Sequence, residues 1–216
     1  MKTNKILAAL ILAATTLPAS AQFFNTDTDD YTRLDFQLIL SHPEYEDYGV
    51  YFSNTHTQYG LGLNYIYGYN LTGHKLPIFV EFGPELNYTY KYEEIDYWDI
   101  HDCLETEKIR TRRLTLGTPV DFVYKFRLTD GITVAPYTGI DIKANLLAAT
   151  YTNGIKADAF SEGANLFQVG WNLGFGFYFN KFYLGHRYSE EITPFIEKHR
   201  SKTIFRNNYL NLGIRF

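Results

Sequence analysis

The sequence predicts an all-β fold, an eight-stranded antiparallel up-and-down transmembrane β-barrel that follows a cleaved signal peptide. Three observations predict it. The N-terminus reads as a secretory signal, the rest of the chain alternates apolar and polar residues in eight segments, and the connections between those segments alternate short and long.

Lys2 and Lys5 place positive charge at the start, and an apolar run spans Ile6 to Leu17. Pro18-Ala19-Ser20-Ala21 then supplies small residues at 19 and 21 for cleavage before Gln22. The run falls short of the roughly 20 residues of a membrane-spanning helix. Basic start, short apolar core and small-residue exit together describe a signal peptide, which takes no part in the mature fold. The expected division is a signal peptide over 1–21 and an outer-membrane β-barrel domain over 22–216. No cysteine follows the cleavage site, so no lipid anchor is expected there. Losing two lysines takes the basic count from 20 to 18 against 24 acidic residues, a balance that provides no basic surface for nucleic acid. Cys103 is the only cysteine and cannot close an intramolecular disulfide. No other stretch is long and apolar enough for a transmembrane helix, so a membrane crossing has to be made by a closed barrel.

Period-two alternation marks strands with two different faces. The first segment, 33–40, carries Leu34, Phe36, Leu38 and Leu40 on one face. The second, 58–69, carries Tyr59, Leu61, Leu63, Tyr65, Tyr67 and Tyr69. The third, 77–90, carries Ile78, Val80, Phe82, Leu86, Tyr88 and Tyr90. In the fourth, 113–126, Leu114, Leu116, Val120, Phe122, Tyr124 and Phe126 lie opposite Thr115, Gly117, Pro119, Asp121 and Lys125. In the fifth, 132–146, Ile132, Val134, Ile140, Ile142 and Leu146 lie opposite Thr133, Asp141, Lys143 and Asn145. The sixth is the clearest: Phe167, Val169, Trp171, Leu173, Phe175, Phe177 and Phe179 hold every odd position of 167–179. Phe182, Leu184 and Tyr188 mark the seventh, 182–188, whose apolar face His186 interrupts. Leu210, Leu212, Ile214 and Phe216 mark the eighth, 206–216.

Short gaps at about 70–76, 127–131 and 180–181 alternate with long ones at about 41–57, 91–112, 147–165 and 189–204, the asymmetry of transmembrane barrels. Thr129-Asp130-Gly131 and Asn180-Lys181 suit tight turns, because Gly and Asn tolerate positive φ.

Alternation does not say which face is inside, since a soluble barrel alternates with its apolar face inward. Glycine decides it. Of the 16 glycines, those at 60, 62, 68, 83, 117, 139, 170, 174, 176, 185 and 213 fall on polar strand faces, and none falls on an apolar face. An eight-stranded lumen is only just wide enough for side chains, so large polar groups there need glycines opposite them. A soluble surface has no use for residues that weaken strands. The apolar face is therefore expected to meet lipid, with aromatic girdles near strand ends at Tyr65, Tyr67, Tyr69, Tyr88, Tyr90, Tyr92, Phe179 and Phe182.

The final segment, NNYLNLGIRF, ends on Phe216 and looks like the C-terminal signal of outer-membrane barrels. With the signal peptide and the loop asymmetry it resembles the OmpA-like and PorT-like small outer-membrane β-barrel families of Gram-negative bacteria, across essentially the whole mature chain. The resemblance implies an outer-membrane location and eight strands. It implies passage through the barrel-assembly machinery, which recognises such a signal, and it carries over no catalytic residue.

The inward face collects Asp35, Glu81, Glu85, Asp121 and Asp141 with Lys125, Lys143, Arg187 and Arg215, and internal ion pairs are expected to fill the lumen. Arg187 is expected to reach Glu81 and Asp121 across the interior, and Asp35 to pair with Arg215 between the first and last strands. The six histidines match no zinc spacing, and neither cofactor nor metal is expected. His186, Ser189, Glu190 and Glu191 offer a base, a nucleophile and acids near one rim, although alternation turns His186 to lipid. Among the acids of 91–112, Tyr92, Tyr97 and Trp98 form a candidate partner-binding loop, since exposed aromatics anchor interfaces. The expected role is non-enzymatic, envelope-structural or surface-interacting through long extracellular loops. Both termini are expected in the periplasm. Outer-membrane lipid and an envelope or extracellular protein are the expected partners. A barrel enzyme acting on outer-membrane lipid, in the manner of lipid A deacylases, and a narrow porin-like channel remain open alternatives.

Overall fold

The computed structural model describes residues 28–216 apart from 48–49, 54–56, 99–103, 162 and 199–200, and every regular element among them is a β-strand. The expected signal segment and Cys103 lie outside these residues. Eight strands make a ring. They are β1 (Tyr31–Asp47), β2 (Gln58–Asn70), β3 (Ile78–Phe82 continuing as Glu85–Trp98), β4 (Leu104–Tyr124), β5 (Ile132–Thr152), β6 (Phe167–Phe179), β7 (Phe182–Glu191) and β8 (Ser201–Arg215). Each pairs antiparallel with the next in chain order. β8 pairs with β1 from Arg33↔Arg215 to Asp47↔Ser201, so the sheet closes on itself and keeps no long free edge. Four short strands, Val50–Ser53, Phe126–Thr129, Ile155–Asp158 and Ile196–Lys198, add pairing beyond the ring.

Strand order and the two faces follow the alternation, but the lengths do not. The segment 91–112, expected as a loop, is mostly a continuous hairpin in which Lys91↔Thr111 runs on to Trp98↔Leu104. β5 likewise continues to Thr152 and β1 to Asp47. Alternation records a contrast between two environments. Beyond the membrane both faces meet water and the contrast fades, while the backbone ladder continues because its hydrogen bonds do not depend on the side chains. Tyr92, Tyr97 and Trp98 consequently stand on a strand rather than in a loop.

Two irregularities position the interior. β3 is interrupted at Gly83-Pro84, where proline has no N–H for the ladder and its carbonyl instead accepts from the Tyr65 N–H at 3.0 Å. A Cβ on Gly83 would collide with the Tyr65 carbonyl, so β2 and β3 approach there only because residue 83 has no side chain. A register shift on β5 pairs Leu147 with Leu114 and Asn145 with Thr115. Leu146 and Leu147 are therefore both exposed, and the next inward residue is Ala148. A bulge of this kind reverses which parity faces inside.

The exterior is apolar. Leu34, Phe36, Leu38 and Leu40 of β1 and Trp171, Leu173 and Phe175 of β6 are between 38% and 51% exposed. Monomeric soluble proteins rarely leave so continuous a belt uncovered, and such a belt marks a protein or membrane contact. On β4 the outward residues from Leu114 to Tyr124 span ten positions. At about 3.3 Å per residue and a tilt of about 40°, they cover roughly 25 Å, the height of a barrel's lipid band.

Leu173 stands at the centre of β6 on this outer face. Replacing Leu173 by Arg is expected to destabilise the barrel in phospholipid vesicles by about 2–4 kcal/mol, read as a loss of folded fraction in urea titration. Leu173→Ala should keep most of the folded fraction. Equal behaviour of the two variants would place this face outside lipid.

Candidate functional site

The inward face is a column of acidic and basic side chains. Among the described residues eleven acidic or basic side chains are buried in it: Arg33, Arg113, Lys125, Lys143 and Arg187, and Asp35, Glu81, Glu85, Asp121, Asp141 and Glu191. Burying an ion costs several kcal/mol unless a partner and hydrogen bonds offset it. The chain meets this cost by stacking most of these groups in layers, each built around one arginine. Glu81, Glu85 and Thr89 step up β3 four residues at a time, and Arg113 stands opposite Thr89, which orders the layers along the axis.

The layer nearest the short turns is built on Arg33. Its Nε donates to Asp35 at 2.8 Å, and its Nη2 lies 3.0 Å from Glu81. Glu81 also accepts hydrogen bonds from the Tyr31 and Tyr178 hydroxyls, and the Arg33 guanidinium stacks 3.7 Å above the Tyr183 ring. Beneath it Tyr31, Phe79, Val123, Ala135, Tyr137, Tyr178 and Tyr183 close that end with aromatic volume. Lys125 projects into this cluster with Nζ 3.3 Å from the Tyr31 ring centre and 4.4 Å from that of Phe79, a desolvated cation–π cage.

The central layer is built on Arg187, 2% exposed. Its Nη2 donates to Glu85 on the opposite side of the ring, its Nη1 lies 3.8 Å from Asp141, and its plane rests 4.1 Å from the Tyr209 ring. Lys143 reaches Asp141 at 3.5 Å and donates to the Tyr209 hydroxyl at 3.2 Å. Gln37 and Asn87 donate to Glu85 at 3.1 and 2.6 Å, while Asn172 and Ser189 donate to Asp141. The outermost layer is Arg113 with Glu191 at 2.9 Å, held by Asn145 and Gln168. Above it Phe195 and Phe205 pack edge to face at 5.4 Å, with the Arg113 guanidinium 4.3 Å from the Phe205 ring centre. The lid is tied by Asn165 N–H to the Phe195 carbonyl and Phe195 N–H to the Thr203 carbonyl, each 2.7 Å.

Two expected pairs are corrected. Arg187 bridges to Glu85 and Asp141, not to Glu81, which Arg33 takes; Asp121 faces the same interior, opposite Glu81 and Gly139 in register. Position along each strand does not settle such a pair, because strand tilt sets a side chain against residues higher on the strand across from it. Asp35 pairs with Arg33 two residues away, and its register partner on β8 is Gly213. Arg215 is only half-buried at the short-turn end, 5.6 Å from the Tyr31 ring centre. The glycines do make the space: a Cβ on Gly213 would strike Asp35, and Cβ atoms on Gly176 or Gly185 would strike Tyr183.

Arg33, Arg113, Glu191 and the inward tyrosines 31, 137, 183 and 209 were not among the expected interior residues. The signal was present, because each shares the parity of the inward residues beside it. Three of them sit at strand ends, where the apolar contrast that fixes parity is weakest.

The rim constellation comes apart. His186 turns outward against Phe175, ring centres 5.9 Å apart, while Ser189 turns inward and is fully buried. Glu190 is outward, 3.3 Å from Arg206, and Glu191 is inward beside Arg113. Base and nucleophile thus lie on opposite faces of one sheet. The side chains of Tyr97 and Trp98 are outside the described residues, and Tyr92 is outward and exposed. Among the described residues no group of three His, Cys, Asp or Glu side chains is placed to hold a metal ion.

Arg187→Ala leaves Glu85 and Asp141 buried without their shared cation. A loss of about 3–5 kcal/mol in urea unfolding from vesicles is expected. Adding Glu85→Gln to that variant should restore part of it, since one orphaned charge is then gone. Unchanged stability in the single variant would mean that the central layer is not a structural bridge.

No family model matches the chain, and no curated protein is similar to it in sequence. Solved structures with a similar arrangement include small outer-membrane barrels and outer-membrane channels. Neisserial surface protein A is 16% identical, with 84% of this chain and 95% of that one covered and a TM-score of 0.44. Ail, the attachment invasion locus protein of Yersinia pestis, solved with the heparin analogue sucrose octasulfate, is 13% identical, with 86% and 99% covered and a TM-score of 0.38. The N-terminal β-barrel domain of Pseudomonas aeruginosa OprF is 13% identical, with 87% and 100% covered and a TM-score of 0.36. At these values nothing that those proteins bind or do passes to this chain.

Proposed function

We propose that this chain is a sealed, non-enzymatic outer-membrane barrel, with both termini in the periplasm, that acts through strand hairpins extended beyond the outer leaflet. Its role is envelope-structural or surface-interacting, in keeping with the OmpA-like and PorT-like resemblance. Its partners are outer-membrane lipid, the assembly machinery that inserts it, and an envelope or extracellular protein at the hairpins.

One observation carries this reading: the lumen is filled across its full width by paired ions at the level of Arg187, Glu85, Asp141 and Lys143. The void just above, lined by Ile39, Thr89, Arg113 and Tyr209 among others, is about 10 Å³, close to the space one water needs. A conducting pathway needs a continuous wet column, and this interior is packed at that level. The separation of His186 from Ser189 supports the non-enzymatic assignment. Periplasmic termini follow from an even strand number with the short turns facing the periplasm, the usual orientation of such barrels.

Purified protein in planar bilayers is expected to give no steady open-pore current. Sustained conductance from the wild type would sink the sealed-lumen reading. Epitope tags at Asn153-Gly154 should be reached by antibody on intact cells and tags at Asp130-Gly131 should not; the reverse pattern would invert the orientation.

A further inference from the structure

The outer face of β4 changes character where the lipid band ends. Below, Leu114 and Leu116 face outward; above, the same row continues as Arg112, Arg110 and Lys108. On β3 the residues opposite them are Tyr90, Tyr92 and Glu94 in register. On β5, Tyr151 stands opposite Arg110.

The aromatic rings hold the two arginines in place. The Arg110 guanidinium lies 5.5 Å from the Tyr92 ring centre, and that of Arg112 lies 5.3 Å from Tyr151 and 6.0 Å from Tyr90. Lys108 has Glu94 3.7 Å away. Among the described residues no carboxylate lies within ion-pair distance of Arg110 or Arg112. Lys108, Arg110, Arg112, Tyr151, Asn153 and Gly154 line an open hollow of about 510 Å³ on the outside of the wall. Its size suits a sugar-sized head group.

We propose that this hollow binds a phosphate-bearing lipid head group of the adjoining leaflet. The assignment rests on the membrane placement proposed above and adds a specific ligand chemistry to it. Three features select a lipid over a soluble anion. The cations continue a lipid-facing row without a break, they face sideways along the membrane rather than up from the hairpin tip, and an apolar surface lies directly beneath them for acyl chains. Arginine is suited to this task, since its planar fork donates to two phosphate oxygens at once while its face stays on tyrosine.

Native mass spectrometry of the detergent-solubilised full barrel tests the site, with diphosphoryl lipid A, the same lipid stripped of phosphate, and inorganic phosphate as probes. Wild-type protein should retain the phosphorylated lipid in preference to the stripped one. A basic residue near a charged membrane surface is worth about a factor of five in binding, so Arg110→Gln with Arg112→Gln should weaken retention by about 30-fold. Both side chains lie outside the packed lumen, and an unchanged circular dichroism spectrum will confirm folding of the variant. Lys181→Gln at the short-turn end should leave retention as in the wild type. Equal retention of the two lipids, or wild-type retention by the double variant, would overturn the site. Displacement by millimolar inorganic phosphate would overturn its assignment to a lipid. Orientation is read separately by the epitope tags, because lipid discrimination in detergent does not depend on which way the barrel was inserted.

Discussion

Eight strands closed into a ring leave an interior about wide enough to be filled by side chains and nothing more. Charges placed there are out of water, so each has to find its counter-charge inside the same narrow column. The three-arginine stack is the consequence. Arg33, Arg187 and Arg113 each engage carboxylates from another position on the wall, and a planar donor fork serves several acceptors where an ammonium serves as a point charge. Two buried lysines are held differently. Lys143 works beside Arg187 on a shared acid, and Lys125 is surrounded by ring faces.

The same volume limit explains the glycines. A tyrosine such as Tyr183 can lie flat across the lumen only because Gly176 and Gly185 have no Cβ in its path. In a water-soluble protein the packed apolar core is inside and the charges are outside. Here the arrangement is reversed: lipid accepts any apolar shape, so the exterior carries the bulky residues and the interior carries the close fit. Stability is accordingly concentrated in polar contacts, where removing one partner leaves a stranded ion.

Outside the lipid band the constraint changes. β3 and β4 continue as a hairpin whose outer row passes from leucine to arginine with no change of backbone geometry. The ladder that spans the membrane therefore also carries the cationic hollow, and the position of that hollow relative to the leaflet is set by strand register rather than by a loop. On the inner side of the same walls, Phe195 and Phe205 cover Arg113, so the outer end of the column is closed by aromatic rings as the other end is.

Strand number, strand order and the choice of inward face were legible in the sequence, because lipid and lumen impose opposite demands on alternate residues. Leu114, Leu116, Phe122 and Tyr124 against Thr115, Gly117 and Asp121 leave one consistent assignment. The interior residues Asp35, Glu81, Glu85, Asp121, Asp141, Lys125, Lys143 and Arg187 follow from parity alone. Pairing among them does not, since it depends on the tilt of the strands, on the break at Gly83-Pro84 and on the bulge near Leu146, none of which has a height that residue counting can read. Strand ends were also hidden: past the lipid band both faces are wet, the alternation disappears, and only the backbone ladder continues. Composition along one row thus determined which residues look inward and which outward, whereas the closed ring decided which of them meet, because neighbours across a lumen are set by the curvature and shear of the whole sheet.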